Sequence, residues 1–277
     1  DTMKSPMSLH RYLSLQFALV AALPVVIIAA LVWQFLMPQM RTNVGIQHEG
    51  LARAIASHVS DHLIGGERQL VAMANSVASL GPHPSSQLYA LLDAQCGNGE
   101  LFETIYIVSD RDKAISSAGL AYLRRPKRED LLGMDLSGRR FIDMARDTGK
   151  SVWSETFLST ASSRLAVALT VPMTESVMVG EITFDKLSEF ISHLPMEAGL
   201  LTMVLDRQGR IVADSQQFRW GQQLSLSALP ASVSDGRAPY SSSSFELNGR
   251  SLLGTMVDVP ELGWKVLVAQ PIQNAYK

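Results

Sequence analysis

The chain has 277 residues, 47% hydrophobic and 18% charged, with a formal net charge of −2. Such a balance is globular once one greasy stretch is set aside, and it leaves no basic field for nucleic acid. Cys96 is the single cysteine, so an internal disulfide and a cysteine-rich zinc site are both excluded.

Phe17 to Met37 carries no charged residue. As a helix it is about 30 Å long, enough to cross a bilayer. The run is too long for a signal peptide core, and no small-x-small cleavage site follows it. It reads as an uncleaved transmembrane helix, with Trp33 suited to the outer interface. Lys4 and Arg11 precede it and favour a cytoplasmic segment 1–16.

Beyond Pro38 the apolar residues Val44, Leu51, Ile55, Val59, Leu63, Leu70, Met73, Val77 and Leu80 recur mostly at three, four or seven. Residues 38–84 are therefore a stalk, either one long helix or two stacked pieces. Gly65-Gly66 is expected to loosen or bend it, and Gly81-Pro82 to stop it. Its apolar stripe packs either on a twin chain or on the rest of its own chain. His58 and His62 share a face of this helix, but no third ligand accompanies them. Their reading is a solvated face, and no metal or other cofactor is expected.

A short helix is predicted over Ser86–Ala94. Strand signals follow over Phe102–Val108 and Ala114–Ser117, with a helix over Ser137–Arg146. Three strands are expected next, Ser151–Ser159, Arg164–Val171 and Val177–Phe184, and then a helix over Lys186–His193. The pattern then restarts. Val108-Ser109-Asp110-Arg111-Asp112-Lys113-Ala114-Ile115 matches Val204-Leu205-Asp206-Arg207-Gln208-Gly209-Arg210-Ile211 in Val, Asp, Arg and Ile at a constant offset. Further strands are expected at Ser242–Leu247, Ser251–Val257 and Trp264–Ala269. The order of elements makes two α+β units, residues 85–193 and 194–277.

Several stretches, in this order, carry a family resemblance. A greasy helix runs into a stalk. Met134-Asp135-Leu136-Ser137-Gly138-Arg139-Arg140-Phe141-Ile142-Asp143-Met144-Ala145 precedes Ser151-Val152-Trp153-Ser154-Glu155. Ala168-Leu169-Thr170-Val171-Pro172 and Gly180-Glu181-Ile182-Thr183-Phe184-Asp185-Lys186-Leu187 follow, and Leu262-Gly263-Trp264-Lys265-Val266-Leu267-Val268-Ala269-Gln270-Pro271 closes the second unit. Over residues 39–272 the chain resembles the double Cache (dCache) family of extracytoplasmic sensors.

The resemblance implies an α+β fold of two stacked PAS-like antiparallel-sheet units behind the transmembrane and stalk helices. It implies a membrane-distal unit, 85–193, that holds a ligand, and a membrane-proximal unit, 194–277. It also implies a second transmembrane helix after Lys277 leading to a cytoplasmic output domain. In amino-acid-binding members an Arg-x-Trp-Tyr stretch takes the ligand carboxylate and an aspartate takes the ammonium. Arg139 falls on the arginine position, Phe141 and Ile142 replace the aromatic pair, Met134 stands at an upstream tyrosine, and Glu181 falls near the aspartate.

The candidate ligand residues are Arg139, Phe141, Glu181, Trp153, Tyr106 and Tyr122, with Phe157 a further wall. An arginine fork holds a carboxylate through two charge-assisted bonds. The loop Gly119–Met134 carries Arg124, Arg125, Lys127 and Arg128, which either attract an anion or are simply solvated.

The functional expectation is the ligand-sensing input region of a bacterial membrane receptor whose output is a histidine kinase, a cyclic-dinucleotide enzyme or a chemoreceptor. The expected location is the cell membrane, with the sensory part periplasmic or extracellular. Its expected partners are a small solute such as a carboxylate or amino acid, the lipid bilayer, and a second copy through the stalk. The alternatives are a module sensing a periplasmic protein and an anchored hydrolase. The hydrolase is disfavoured, because the sequence lacks HExxH, a phosphate loop and GxSxG.

Overall fold

The computed structural model describes residues 22–28, 31, 37–80, 85–96, 100–120, 127–194, 199–215, 243–247, 249–259 and 262–275. Most of Phe17–Met37 lies outside these residues. Of the parts inside, Met37 opens the next helix, and 22–28 and 31 are helical and exposed, including Val25 and Val26. Among the described residues no helix is long and apolar enough to cross a membrane.

The stalk periodicity corresponds to one helix, α1, Met37–Leu80, of 44 residues and about 66 Å. Gly65-Gly66 does not interrupt it. The reason is tertiary: Gly66 is buried, and a Cβ there would stand 2.1 Å from Leu101 Cδ2, so the missing side chain makes room for Leu101. Packing outweighs the ~1 kcal/mol by which glycine disfavours a helix. The short helix α2, Ser85–Ala94, follows.

The first sheet comprises β1 (Thr104–Ser109), β2 (Ile115–Leu120), β3 (Val152–Trp153), β4 (Phe157–Leu158), β5 (Leu165–Pro172) and β6 (Ser176–Thr183). Its order is β2-β1-β6-β5-β3, with β4 also on β5, and every pairing is antiparallel. Helices α3 (Arg128–Leu131), α4 (Arg140–Thr148) and α5 (Phe184–Ser192) accompany it. The second sheet comprises β7 (Leu201–Leu205), β8 (Ile211–Asp214), β9 (Ser243–Leu247), β10 (Arg250–Val259) and β11 (Trp264–Pro271), in the order β8-β7-β11-β10-β9. A last turn of helix, α6, spans Ile272–Ala275.

The two sheets repeat one plan. Each begins with a hairpin whose first strand pairs with a later, central strand: β1 with β6, and β7 with β11. The hairpin turns share a left-handed residue at the position matched in sequence, Lys113 at φ 54° and Gly209 at φ 76°. Glycine takes that conformation without steric cost and lysine does not.

Alternation divides each sheet into two faces. Ile105, Ile107, Val167, Leu169, Met178 and Ile182 join a core that also holds Ile55, Val59, Leu63, Leu70 and Met73 of α1. The same core takes in Val204, Val212, Trp264, Val266 and Val268 of the second sheet. The opposite face of the first sheet holds Tyr106, Val108, Ala168, Val177 and Val179 against Phe141 and Ile142 of α4. The opposite face of the second sheet holds Met203, Leu205, Phe245, Leu252 and Leu267.

The expected strand Ser151–Ser159 is broken. Val152 pairs with Thr170 and Trp153 with Leu169, whereas Phe157 pairs with Ala166 and Leu158 with Leu165. Ser154, Glu155 and Thr156 therefore face only Val167 and Ala168, which is a β-bulge. Ser154 holds it: its N–H donates to Ala168 O at 2.8 Å, and its Oγ accepts from Ala168 N at 2.8 Å.

Helix α2 lies against β2 at Gly119, where a Cβ would fall 2.5 to 2.7 Å from the Cβ, C and O of Leu92. Backbone cannot yield as a side-chain tip can. Gly119→Ala is expected to lower stability by about 1–3 kcal/mol, the usual range for overpacking, read from the midpoint of urea unfolding. An unchanged midpoint would show that α2 packs less closely there.

Candidate ligand site

The face of the first sheet under α4 gathers four of the six candidate residues. Glu181 on β6 pairs with Thr104 and Ala168, so its side chain shares the face of Ala168. Tyr106, two residues along β1 from Thr104, points the same way. The Tyr106 hydroxyl donates to Glu181 Oε1 at 2.9 Å, and the Ser159 hydroxyl donates to Oε2. Ser159 Oγ also accepts from Ser162 N at 3.0 Å, which fixes the turn leading to β5.

Arg139 is the residue before the first turn of α4. The turn preceding it is set by Asp135, whose carboxylate accepts from the Ser137 N–H at 2.8 Å and hydroxyl at 3.0 Å. These two bonds hold the Asp135 carboxyl below its usual value. The Arg139 guanidinium lies 5.0 Å from the Phe157 ring centroid, and Nη2 donates to Thr160 Oγ1 at 3.2 Å. Phe157 in turn packs on Phe141, with centroids 5.4 Å apart. Arg139, Phe141, Tyr106 and Glu181 thus share one face, with Ser159, Thr160 and Phe157 beside them.

Trp153 lies elsewhere. Its partner Leu169 belongs to the α1 side of the sheet, and Trp153 meets Trp264 of the second sheet edge-on at 6.2 Å. An unbroken strand would have put Trp153 and Phe157 on one face. The bulge moves Phe157 to the other, because one extra residue inverts every side chain after it. Tyr122, Arg124 and Arg125 lie outside the described residues. Arg128 is not free to attract a solute: it pairs with Asp93, donates to Ala118 O at 2.7 Å and lies over Tyr89.

Ser159 was legible once Phe157 was chosen, since it lies two residues on in a strand. Nothing in the sequence singles out Thr160. A separate cavity of about 550 Å³ lies between α1, α5 and the segment before β1, lined by His62, Glu103, Arg164, Lys186, Glu189 and Phe190 among others. Its cations are engaged, Arg164 with Asp185 and Lys186 with the carbonyls of Glu100 and Phe102. His62 stacks on Phe190 at 4.0 Å, and burial lowers its pKa. Among the described residues no cluster of three or more His, Cys, Asp or Glu is arranged to hold a metal.

Residues 37–277 match the family model described as Cache domain, of the double Cache type. The chain belongs to the double Cache family. It is therefore a ligand-sensing, extracytoplasmic module and not an enzyme. No curated protein matches its sequence.

Solved Cache structures share the fold. The ligand-binding domain of the Campylobacter jejuni chemoreceptor Tlp3, in complex with 4-methylisoleucine, gives a TM-score of 0.65 at 14% identity, over 86% of this chain and 94% of that one. The domain of the Pseudomonas aeruginosa amino acid chemoreceptor PctB with L-Arg gives 0.62 at 18% identity, over 82% and 95%. That of the Pseudomonas fluorescens chemoreceptor CtaA with L-leucine gives 0.60 at 14% identity, over 87% and 100%.

Burial raises the Glu181 pKa above its ordinary 4.5, opposed by the bonds from Ser159 and Tyr106 and by Arg139. Burial first, then Glu181, raises the Tyr106 hydroxyl. A carboxyl with a raised folded-state pKa binds its proton more tightly folded than unfolded. Its stabilising contribution is full below 4.5 and is lost as pH climbs through the raised value. Thermal unfolding of the Cache chain and of Glu181→Gln across pH 4 to 8 should show the unmodified chain losing ground to the variant as pH rises. A pH-independent gap would mean that Glu181 titrates normally.

Proposed function

We propose that this Cache chain is the ligand-sensing input region of a bacterial membrane receptor, and that the unit 85–193 holds a small carboxylate-bearing solute at Arg139. The supporting observation is the state of Arg139. The guanidiniums of Arg128, Arg146 and Arg164 sit against Asp93, Asp110 and Asp185. Arg139, on the ligand face, bonds the Thr160 hydroxyl and lies over the Phe157 ring, and its charge acts on the buried Glu181, but among the described residues it is in no ion pair. Its remaining N–H groups form a planar fork suited to a carboxylate. The solved relatives lend support, since their bound molecules are amino acids or close analogues.

In this reading Phe17–Met37 anchors the chain, residues 38–84 are the stalk through which two copies meet, and the second unit, 194–277, lies nearer the membrane. The bulged segment links the ligand face to the second unit. Phe157, Ser159 and Thr160 touch the ligand face. Thr156, next to Phe157, donates from Oγ1 to Asp206 Oδ2 at 2.8 Å. Asp206 also accepts, at Oδ1, from Gln208 N at 2.8 Å and Arg210 N at 2.9 Å, so it holds the β7–β8 turn. A solute that binds two positions of this segment unequally shifts the second unit between them.

Two measurements test the proposal. Isothermal calorimetry with a panel of small carboxylates should find a ligand whose affinity drops 10- to 100-fold in Arg139→Ala, as expected for about 1.5–3 kcal/mol from charged hydrogen bonds. Undiminished affinity would remove Arg139 from the site. A topology reporter joined after residue 150 should be active only outside the cytoplasm, and cytoplasmic activity would overturn the anchored arrangement.

A further inference from the structure

The ligand face carries two charged groups, and their surroundings differ. Glu181 is 3% exposed, and each of its oxygens accepts an O–H from the chain itself. Its neighbours Tyr106, Ser159, Thr104 and Ala168 are all buried as well. Arg139 is only half-buried, and of its five N–H groups one is bonded, to Thr160, among the described residues. A solute reaching this face meets a guanidinium and the rings of Phe141 and Phe157, with Leu132 and Met134 packed on the same core. The carboxylate that stands on this face among the described residues, Glu181, is buried.

An ammonium group brought beside Arg139 would shed its water while Glu181 stays buried behind its own hydroxyl donors, a severe desolvation cost. We propose that the solute held at Arg139 is a carboxylate without an ammonium group, an alkanoate rather than an amino acid, its hydrocarbon tail against Phe141 and Phe157. The inference rests on reading the Arg139 face as the ligand site. It goes further by naming what the solute lacks.

Matched pairs that differ only in the amino group test this. The purified full chain is titrated calorimetrically with propionate and alanine, butyrate and 2-aminobutyrate, valerate and norvaline. At least one alkanoate should bind ten or more times tighter than its amino partner, and Arg139→Ala should weaken it at least tenfold. Arg139→Lys, which keeps the charge and loses the fork, should fall between and guards against misfolding of the alanine variant. The inference alone falls if an amino partner binds as tightly or more tightly while still depending on Arg139. Loss of that advantage in Glu181→Gln would show the carboxylate reaching the ammonium. If no member of either series binds, or binding ignores Arg139, the ligand-site reading falls and the inference falls with it.

Discussion

The structure depends on the buried stripe of one helix. Ile55, Val59, Leu63, Leu70 and Met73 of α1 are each 7% exposed or less, and they share a core with strands of both sheets. At about 1.5–3 kcal/mol per fully buried side chain, these five contribute on the order of 10 kcal/mol. That is comparable with the whole net stability of a domain. Neither sheet covers its α1-facing side alone, so the helix is shared structure and not an appendage.

This sharing explains what the sequence revealed and what it hid. The helical period from Leu51 to Leu80 was plain, because burial on one side imposes it. Its partner was not, because the same stripe suits a second copy or the chain's own sheets. Gly65-Gly66 leaves α1 unbroken for a reason local propensity does not carry: Leu101 occupies the space beside Gly66. The duplicated plan was visible only at its hairpins, where the turn conformation repeats at Lys113 and Gly209. Elsewhere the units keep the strand order with different residues.

The ligand face was partly legible for a similar reason. Tyr106 and Glu181 belong to regular strands, where pairing and alternation fix the face. Arg139 and Phe141 bracket the start of a helix that the sequence pattern places over Ser137–Arg146, and the family resemblance supplied their roles. Trp153 and Phe157 could not be sorted by alternation, because the extra residue between them leaves no mark in hydrophobic pattern. Its trace is chemical: the serine whose hydroxyl replaces a ladder acceptor for the Ala168 N–H.

The bulge at Ser154–Thr156 also makes residue count, and not only residue identity, a determinant of the sensor. Losing any one of these three positions would restore an uninterrupted ladder with β5. Phe157 would still stand opposite Ala166, so Phe157 and Ser159 would keep the ligand face; what would go is the bulge itself, which Ser154 holds and which carries Thr156 against Asp206. A single-codon deletion that removed Thr156 would thus leave the face of Arg139 intact and cut its tie to Asp206 in the second unit.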